Sequence, residues 1–262
     1  MTEPQSRGAD LLFNKVPAVT IIFWIIKILA TTVGETAADV LSTSFHLGLV
    51  ITSYIMGAAL VIALLVQIRA KRYIPAFYWI TVVFISVVGT LISDNLVDNL
   101  GVSLITTTTI FTAALIAVFI WWYLSERTLS VHTIYSRRRE LFYWGAILFT
   151  FSLGTSGGDL LSEQLGLGYA VALALFASGI AVVYALYRMR ALNSVLAFWL
   201  AYILTRPLGA SAGDLLTQPG SAGGLGIGRI PSTVVILLLV TGLVMYLSAQ
   251  ESRHPPDAVQ IK

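Results

Sequence analysis

Eight long stretches with almost no charged residues constrain the fold of this chain most strongly. They cover residues 16–34, 46–67, 73–93, 103–124, 141–158, 168–187, 191–205 and 230–250. An α-helix needs about 20 apolar residues to cross the roughly 30 Å hydrocarbon core of a bilayer, and most of these stretches reach that length. Transmembrane β-strands would be segments of about 10 residues with alternating polarity, whereas these stretches are apolar on every face. The sequence therefore predicts an all-α polytopic membrane protein with eight transmembrane helices.

The composition agrees with this prediction. Only 11% of the 262 residues are charged, whereas soluble domains carry about 25% charged residues. Because the chain has no cysteine, disulfides and thiolate metal ligands are excluded. The first stretch is followed by Gly34 and Glu35 rather than by a small-residue cleavage site. We therefore expect it to be retained as a membrane helix and not removed as a signal peptide.

Basic residues are sorted to one side of the predicted membrane domain. Thirteen of the 16 Lys and Arg residues lie in the terminal segments or in three alternate connections between the stretches. The positive-inside rule places short connections rich in Lys and Arg in the cytoplasm. We therefore expect a bacterial inner-membrane protein whose tails, residues 1–15 and 251–262, are both cytoplasmic. The acidic connections are expected on the outer face.

A fourfold internal repeat organises the predicted membrane domain, residues 16–250. Its pattern is a Trp, a Gly ten residues later and an Asp five residues after the Gly, and the aspartates are Asp39, Asp94, Asp159 and Asp214. Four matches indicate four two-helix repeats, at about 16–72, 73–139, 140–190 and 191–250. Every repeat starts on the same side, so the repeats are parallel and related by an axis along the membrane normal. We expect the aspartates to ring this axis or to form two pairs across a pseudo-twofold.

The repeat aspartates and their acidic neighbours are the candidate metal ligands. Glu35 precedes Asp39 by four residues and Asp98 follows Asp94 by four, so each pair shares a helix face. Hard divalent cations such as Mg²⁺, Mn²⁺ and Ca²⁺ prefer oxygen ligands of this kind. Helix capping and turn formation are the alternative, although a cap needs one acid rather than two. The predicted ligands are Glu35, Asp39, Asp94, Asp98, Asp159 and Asp214.

Two basic residues fall within predicted membrane helices. Lys27 lies midway along the first helix, and Arg206 precedes the last repeat glycine, Gly209, by three residues. Ionisable side chains at such depth are costly unless they are paired, and they commonly mark functional sites. We predict that Lys27 and Arg206 act as counter-charges or gates for the cation. A structural ion pair with an aspartate of another repeat is the alternative.

The first repeat resembles a bacterial family of uncharacterised membrane-anchored proteins that contain a repeat of unknown function. The resemblance lies in the run Lys15-Val-Pro, in Phe23-Trp24-Ile-Ile-Lys27 and in Ala30-Thr-Thr-Val-Gly-Glu-Thr-Ala-Ala-Asp39. It extends over residues 16–250 and implies a membrane location and tandem hairpins, but no particular activity. The second repeat departs from the pattern with Asp98, and the fourth departs with Pro207 and Ala210.

These features predict a membrane transporter or channel for a small cation, with a hard divalent metal ion as the favoured substrate. A non-transporting membrane scaffold with structural aspartates and a proton-coupled transporter of a small solute are the alternatives. The sequence has no phosphate loop, nucleophile elbow or HExxH motif, so we predict neither an enzyme nor a bound cofactor. The expected partners are the lipid bilayer and the cation, with no nucleic acid. The oligomeric state is left open.

Overall fold

The computed structural model describes residues 14–253, and the prediction of an all-α fold is confirmed over this range. The predicted tails lie mostly outside it, because residues 1–13 and 254–262 are not described. Eight long helices, numbered α1 to α8, are Ile21–Asp39, Gly48–Arg69, Pro75–Asp94, Leu104–Glu126, Arg137–Asp159, Tyr169–Arg188, Ser194–Thr217 and Arg229–Arg253. Each repeat contributes two consecutive helices.

Seven of the described helices are long and apolar enough to cross a membrane, and α5 is the exception. The first turn of α5 carries Arg137, Arg138, Arg139 and Glu140, and its last turns are rich in Gly, Ser and Thr. These residues lower its hydropathy below that of the other helices. We nevertheless treat α5 as the eighth transmembrane helix, because it occupies the same place in its repeat as α1, α3 and α7.

The first helices of the four repeats form a closed ring. Helix α1 contacts α3, α3 contacts α5, α5 contacts α7, and α7 returns to α1. The second helix of each repeat lies outside this ring and packs on the inner helix of the next repeat, with α8 closing the circle on α1. The outer helices expose large apolar side chains such as Ile51, Trp121 and Leu238. This distribution suits a bundle surrounded by lipid, where polar groups must be buried inside the protein.

The repeat glycines bring neighbouring inner helices into close contact. A Cβ atom at any of them would overlap a side chain of the adjacent inner helix. In each case this side chain stands three residues before the glycine of its own repeat, so the contact recurs at the same level around the ring. The pairs are Gly34 with Ser86, Gly89 with Phe151, Gly154 with Arg206, and Gly209 with Thr31. Small residues allow this close approach of membrane helices.

The repeat tryptophans form a second cyclic set of contacts, about two to three turns from the glycines. The aromatic residue before each Trp packs on the Trp of the next repeat. The ring centroids are 5.6 Å apart for Phe23–Trp79, 5.5 Å for Tyr78–Trp144, 6.2 Å for Tyr143–Trp199 and 5.7 Å for Phe198–Trp24. The tryptophans therefore pack between repeats. Two equivalent contacts per interface explain why the repeats close into a ring.

Filling one glycine contact should weaken the ring. In Gly89→Ala the new Cβ would lie 2.6 Å from the Phe151 Cβ, and overpacking of this kind costs about 1–3 kcal/mol. The matched control is Gly145→Ala in α5, where an added Cβ meets nothing within 4 Å. We expect the thermal unfolding temperature of the purified protein to fall for Gly89→Ala and to stay level or rise for the control. Equal unfolding temperatures would contradict this account of the interface.

Candidate cation site

The four repeat aspartates form one layer at the end of the bundle where each repeat turns from its inner to its outer helix. We call Asp39, Asp94, Asp159 and Asp214 the aspartate layer, this end of the bundle the acidic end, and the opposite end the basic end. Each adjacent pair of aspartates interacts electrostatically: Asp39 with Asp94, Asp94 with Asp159, Asp159 with Asp214, and Asp214 with Asp39. The four carboxylates therefore ring the bundle axis.

A change of helix type follows the aspartate in three repeats. Asp39, Asp94 and Asp159 each end an α-helix, and the chain continues as the π-helices Val40–Ser44, Asn95–Asn99 and Leu160–Gln164. In the fourth repeat α7 stays α-helical to Thr217, even though Pro207 lies inside it. Short π-helical segments often mark functional sites because they disturb the regular hydrogen bonding of the helix. Here they place the irregularity immediately after the aspartate layer.

Three of the four aspartates have no direct hydrogen-bond or ion-pair partner among the described residues. Asp94, Asp159 and Asp214 make no hydrogen bond or ion pair through their carboxylates with any residue of the described chain. Asp214 is buried, and Asp94 and Asp159 are partly buried. Asp39 differs, because its Oδ2 accepts a hydrogen bond from Arg229 Nε at 2.9 Å. Buried carboxyl groups in proteins are normally paired, bound to a metal ion or neutralised by a proton, so these three require a cation or a proton that the described chain does not supply.

Asp98 lies at the rim of the layer rather than in the ring. It is exposed and sits in the π-helix that follows Asp94. Together with Asp39, Asp94 and His46 it lines a cavity of about 470 Å³ at the acidic end. Asp98 is therefore placed to attract a cation from solution, whereas the ring residues lie deeper.

Below the aspartate layer, Arg206 holds together the residues that follow the repeat glycines. Its Nη2 donates to Glu35 Oε2 at 3.0 Å and to Thr155 Oγ1 at 2.7 Å, and it also contacts Thr90 Oγ1. In the fourth repeat the equivalent position is Ala210, which leaves room for the guanidinium. We call Glu35, Thr90, Thr155 and Arg206 the arginine layer. Since Glu35 also interacts electrostatically with all four aspartates, it links the two layers.

Lys27 lies one level deeper and does not reach a carboxylate. Its side chain is fully buried, and Nζ lies 4.2 Å from the ring centroid of Phe151 and 4.1 Å from that of Tyr202. No hydrogen-bond partner for Nζ occurs among residues 14–253. The guanidinium of Arg206 approaches the same Phe151 ring, with Cζ 5.5 Å from its centroid. Two basic side chains thus lie inside the ring of four inner helices, and the faces of the aromatic side chains stabilise them through cation–π contacts.

The structure places five of the six predicted ligands together in the interior of the acidic end. These are Glu35, Asp39, Asp94, Asp159 and Asp214, while the exposed Asp98 lies at the rim and interacts electrostatically with Asp94. In the part of the chain that the structure describes, no three acidic or histidine side chains are close enough to hold a metal ion between them. The ring is therefore wider than a direct coordination shell. Sequence reasoning missed the pairing of Asp39 with Arg229, although Arg229 is the one base in the acidic connections.

The helical ring and its layered polar interior define a polytopic membrane protein built from four two-helix repeats. The family model of a repeat of unknown function, DUF347, matches residues 22–73, 77–128, 142–191 and 197–253. Since these matches cover most of the chain, the protein belongs to this family. No curated protein and no solved structure matches the chain.

The ion pair of the arginine layer should show strong coupling. Arg206→Gln leaves Glu35 buried beside the aspartates without its base, and breaking such a pair costs about 3–5 kcal/mol. Adding Glu35→Gln removes the unpaired charge, so we expect the double variant to recover more than about 1 kcal/mol relative to additivity. Thermal unfolding of the two single variants and the double variant measures this coupling.

The control for this cycle is Arg139→Gln, which breaks the pair with Glu126 at the basic end. Since that pair is more exposed, its loss should cost no more than about 1 kcal/mol. Additive effects of Arg206→Gln and Glu35→Gln would show that the two side chains do not depend on each other.

Proposed function

We propose that this protein is a secondary transporter of a small cation, with a hard divalent metal ion as the favoured substrate and the aspartate layer as its binding site. The observation that carries the proposal is the set of three equivalent carboxylates, Asp94, Asp159 and Asp214, that form no hydrogen bond or direct ion pair with the described residues. Their mutual repulsion disfavours the fully charged layer unless a cation is bound between them or protons neutralise them. A cation in the ring would supply this charge.

The width of the ring favours a cation that keeps part of its hydration shell. Direct coordination needs three or more ligands at about 2.0–2.6 Å, and Mg²⁺ in particular usually retains several waters in protein sites. A hydrated ion could contact the carboxylates through water without the side chains moving together. Glu35, at the inner side of the ring, would then be the next ligand along the axis.

The two buried bases favour a transporter over an open channel. A cation moving inward from the aspartate layer meets Arg206 and then Lys27, and positive charges repel it strongly in a medium of low dielectric constant. Passage therefore requires the Arg206 guanidinium to leave Glu35. A bound cation can replace the guanidinium as the counter-charge of Glu35, so Arg206 and Lys27 would act as gates.

The proposed location is a bacterial inner membrane with the basic end in the cytoplasm. The connections at that end contain clustered bases such as Lys71, Arg72 and Arg138, and loops of this kind remain cytoplasmic. The aspartate layer would then face the outer side.

A structural role for the acids is the second candidate, because two of them are already paired. Arg229 at the start of α8 binds Asp39, and Arg206 of α7 binds Glu35, so both ion pairs connect the fourth repeat to α1. A scaffold that needs only ring closure would use these pairs. It would have no use for the free carboxylates of Asp94, Asp159 and Asp214.

Replacing the three free aspartates separates these functions. In Asp94→Asn/Asp159→Asn/Asp214→Asn, we expect Mn²⁺ uptake into proteoliposomes to fall about tenfold or more, because losing three charges weakens the attraction for the ion by more than 1.4 kcal/mol. The same variant should unfold at an equal or higher temperature, since mutual repulsion is removed. The matched control is Glu126→Gln at the basic end, which should keep full uptake.

Other outcomes of this experiment identify the alternatives. A lower unfolding temperature with unchanged Mn²⁺ and Mg²⁺ fluxes would favour the structural reading. Flux of a small solute that is driven by a pH gradient, survives chelation of metal ions and is lost in the triple variant would favour proton coupling.

A further inference from the structure

We propose that residues 14–20, which precede α1, form a gate that closes the basic end of the bundle axis, and that the Lys15–Glu140 ion pair latches it. The inference rests on the proposed transport function, since a gate matters only if the axis opens. It concerns the opposite end of the bundle from the aspartate layer. Lys15 and Glu140 form a buried ion pair that the cation site does not use.

The latch is a buried polar cluster. Lys15 Nζ donates to Glu140 Oε2 at 2.6 Å and to the carbonyl oxygen of Ile68 at 2.9 Å. Gln67 Nε2 donates to Glu140 Oε1 at 3.4 Å. Lys15, Gln67 and Glu140 are all buried. Burying an ion pair gives little net stability, but breaking a buried pair leaves an uncompensated charge. Such a pair therefore strongly favours the conformation in which it is formed.

The segment crosses the mouth of the ring. Lys15 is connected to α1, whereas Glu140 lies in the first turn of α5, which stands opposite α1 in the ring. The backbone N–H of Lys15 also donates to the carbonyl oxygen of Ile134 at 3.1 Å, and Asn14 Nδ2 donates to that of Val131 at 3.3 Å. Both acceptors belong to the connection that leads into α5. The chain is therefore fastened at α1 and at α5 and spans the space between them.

Buried aromatic side chains form the layer of the inner helices on the side of this segment. Phe23, Tyr78, Tyr143 and Phe198 stand at the same level of the four inner helices, one residue before the repeat tryptophans. The hydroxyl groups of Tyr78 and Tyr143 form a hydrogen bond between α3 and α5. The acidic end, in contrast, holds the cavity beside Asp39 and Asp94. The structure therefore has the arrangement of a transporter closed at the basic end and accessible at the acidic end.

Glu140 is not part of the repeat. At the equivalent positions, fourteen residues before each repeat glycine, the other repeats have Thr20, Pro75 and Val195. Ring closure therefore does not require an acid at this level. Glu140 is instead matched to one base, Lys15, which comes from the segment that crosses the mouth. One ion pair is sufficient to fasten one segment to α5.

The experiment uses the absence of cysteine from the chain. Val82→Cys places the sole thiol at a fully buried position of α3, at the level of Lys27. A membrane-impermeant maleimide is applied outside proteoliposomes, and a separate protein with Tyr135→Cys as its one thiol, at an exposed position of the basic end, measures the fraction of molecules that present this end. Adding Glu140→Gln should raise the labelling rate of the Val82→Cys thiol about 5- to 30-fold, the effect of removing one or two kcal/mol from the closed state.

A charge exchange tests the latch itself. The variant Lys15→Glu/Glu140→Lys should return labelling toward the rate seen with the native pair. The matched control Arg139→Gln, which breaks the nearby pair with Glu126, should leave labelling unchanged. Labelling that is the same with and without Glu140→Gln in folded protein would overturn the proposal. Unfolding of both Glu140→Gln and the exchange variant would show that the pair is structural, and would overturn it as well.

Labelling does not depend on transport, so the two proposals can fail separately. If Glu140→Gln opens the basic end while Mn²⁺ and Mg²⁺ do not cross the membrane, the gate is supported and the cation proposal fails. If Mn²⁺ uptake depends on the aspartate layer but labelling does not respond to Glu140→Gln, the gate proposal fails alone.

Discussion

Four inner helices approach one another at glycines that have no side chain to hold them apart, and the rest of the bundle follows from that contact. A Cβ at Gly34, Gly89, Gly154 or Gly209 would overlap the neighbouring helix. Because the contact recurs at one level, equivalent residues of the four repeats lie at the same depth along the axis. The aromatic residues, the arginine layer and the aspartate layer are therefore stacked in order along the axis.

The lipid surroundings explain why the polar side chains lie inside the bundle. The outer helices present apolar side chains, so charged and hydroxyl groups can be buried only between the inner helices. Arg206 meets this requirement for Glu35, Thr90 and Thr155, and the rings of Phe151 and Tyr202 do so for Lys27. The aspartate layer meets it only at Asp39. The unmatched charge is thus concentrated at one end, which is the physical basis of the proposed cation site.

Departures from fourfold symmetry concern the groups to which we assign roles. Arg206 stands where the other repeats have a small or aromatic residue, and Ala210 stands where they have Glu or Thr. Lys27 and Glu140 likewise have no basic or acidic counterparts in the other repeats. A symmetric ring of carboxylates can hold a cation, but directional opening at one end requires groups that differ between repeats. The repeated residues form the framework, and the residues that differ between repeats are those to which we assign gating.

The sequence by itself determined the helices, the four repeats and the depth of each repeat residue, because apolar length and strict spacing depend only on local helix geometry. It also identified Glu35, Asp39, Asp94, Asp159 and Asp214 as neighbours in depth. Only the tertiary structure decided the partners: Arg206 with Glu35, Arg229 with Asp39, and Lys15 with Glu140. Such pairs join residues more than a hundred positions apart, and spacing along a helix carries no information about which helix stands opposite. The closed ring decides that.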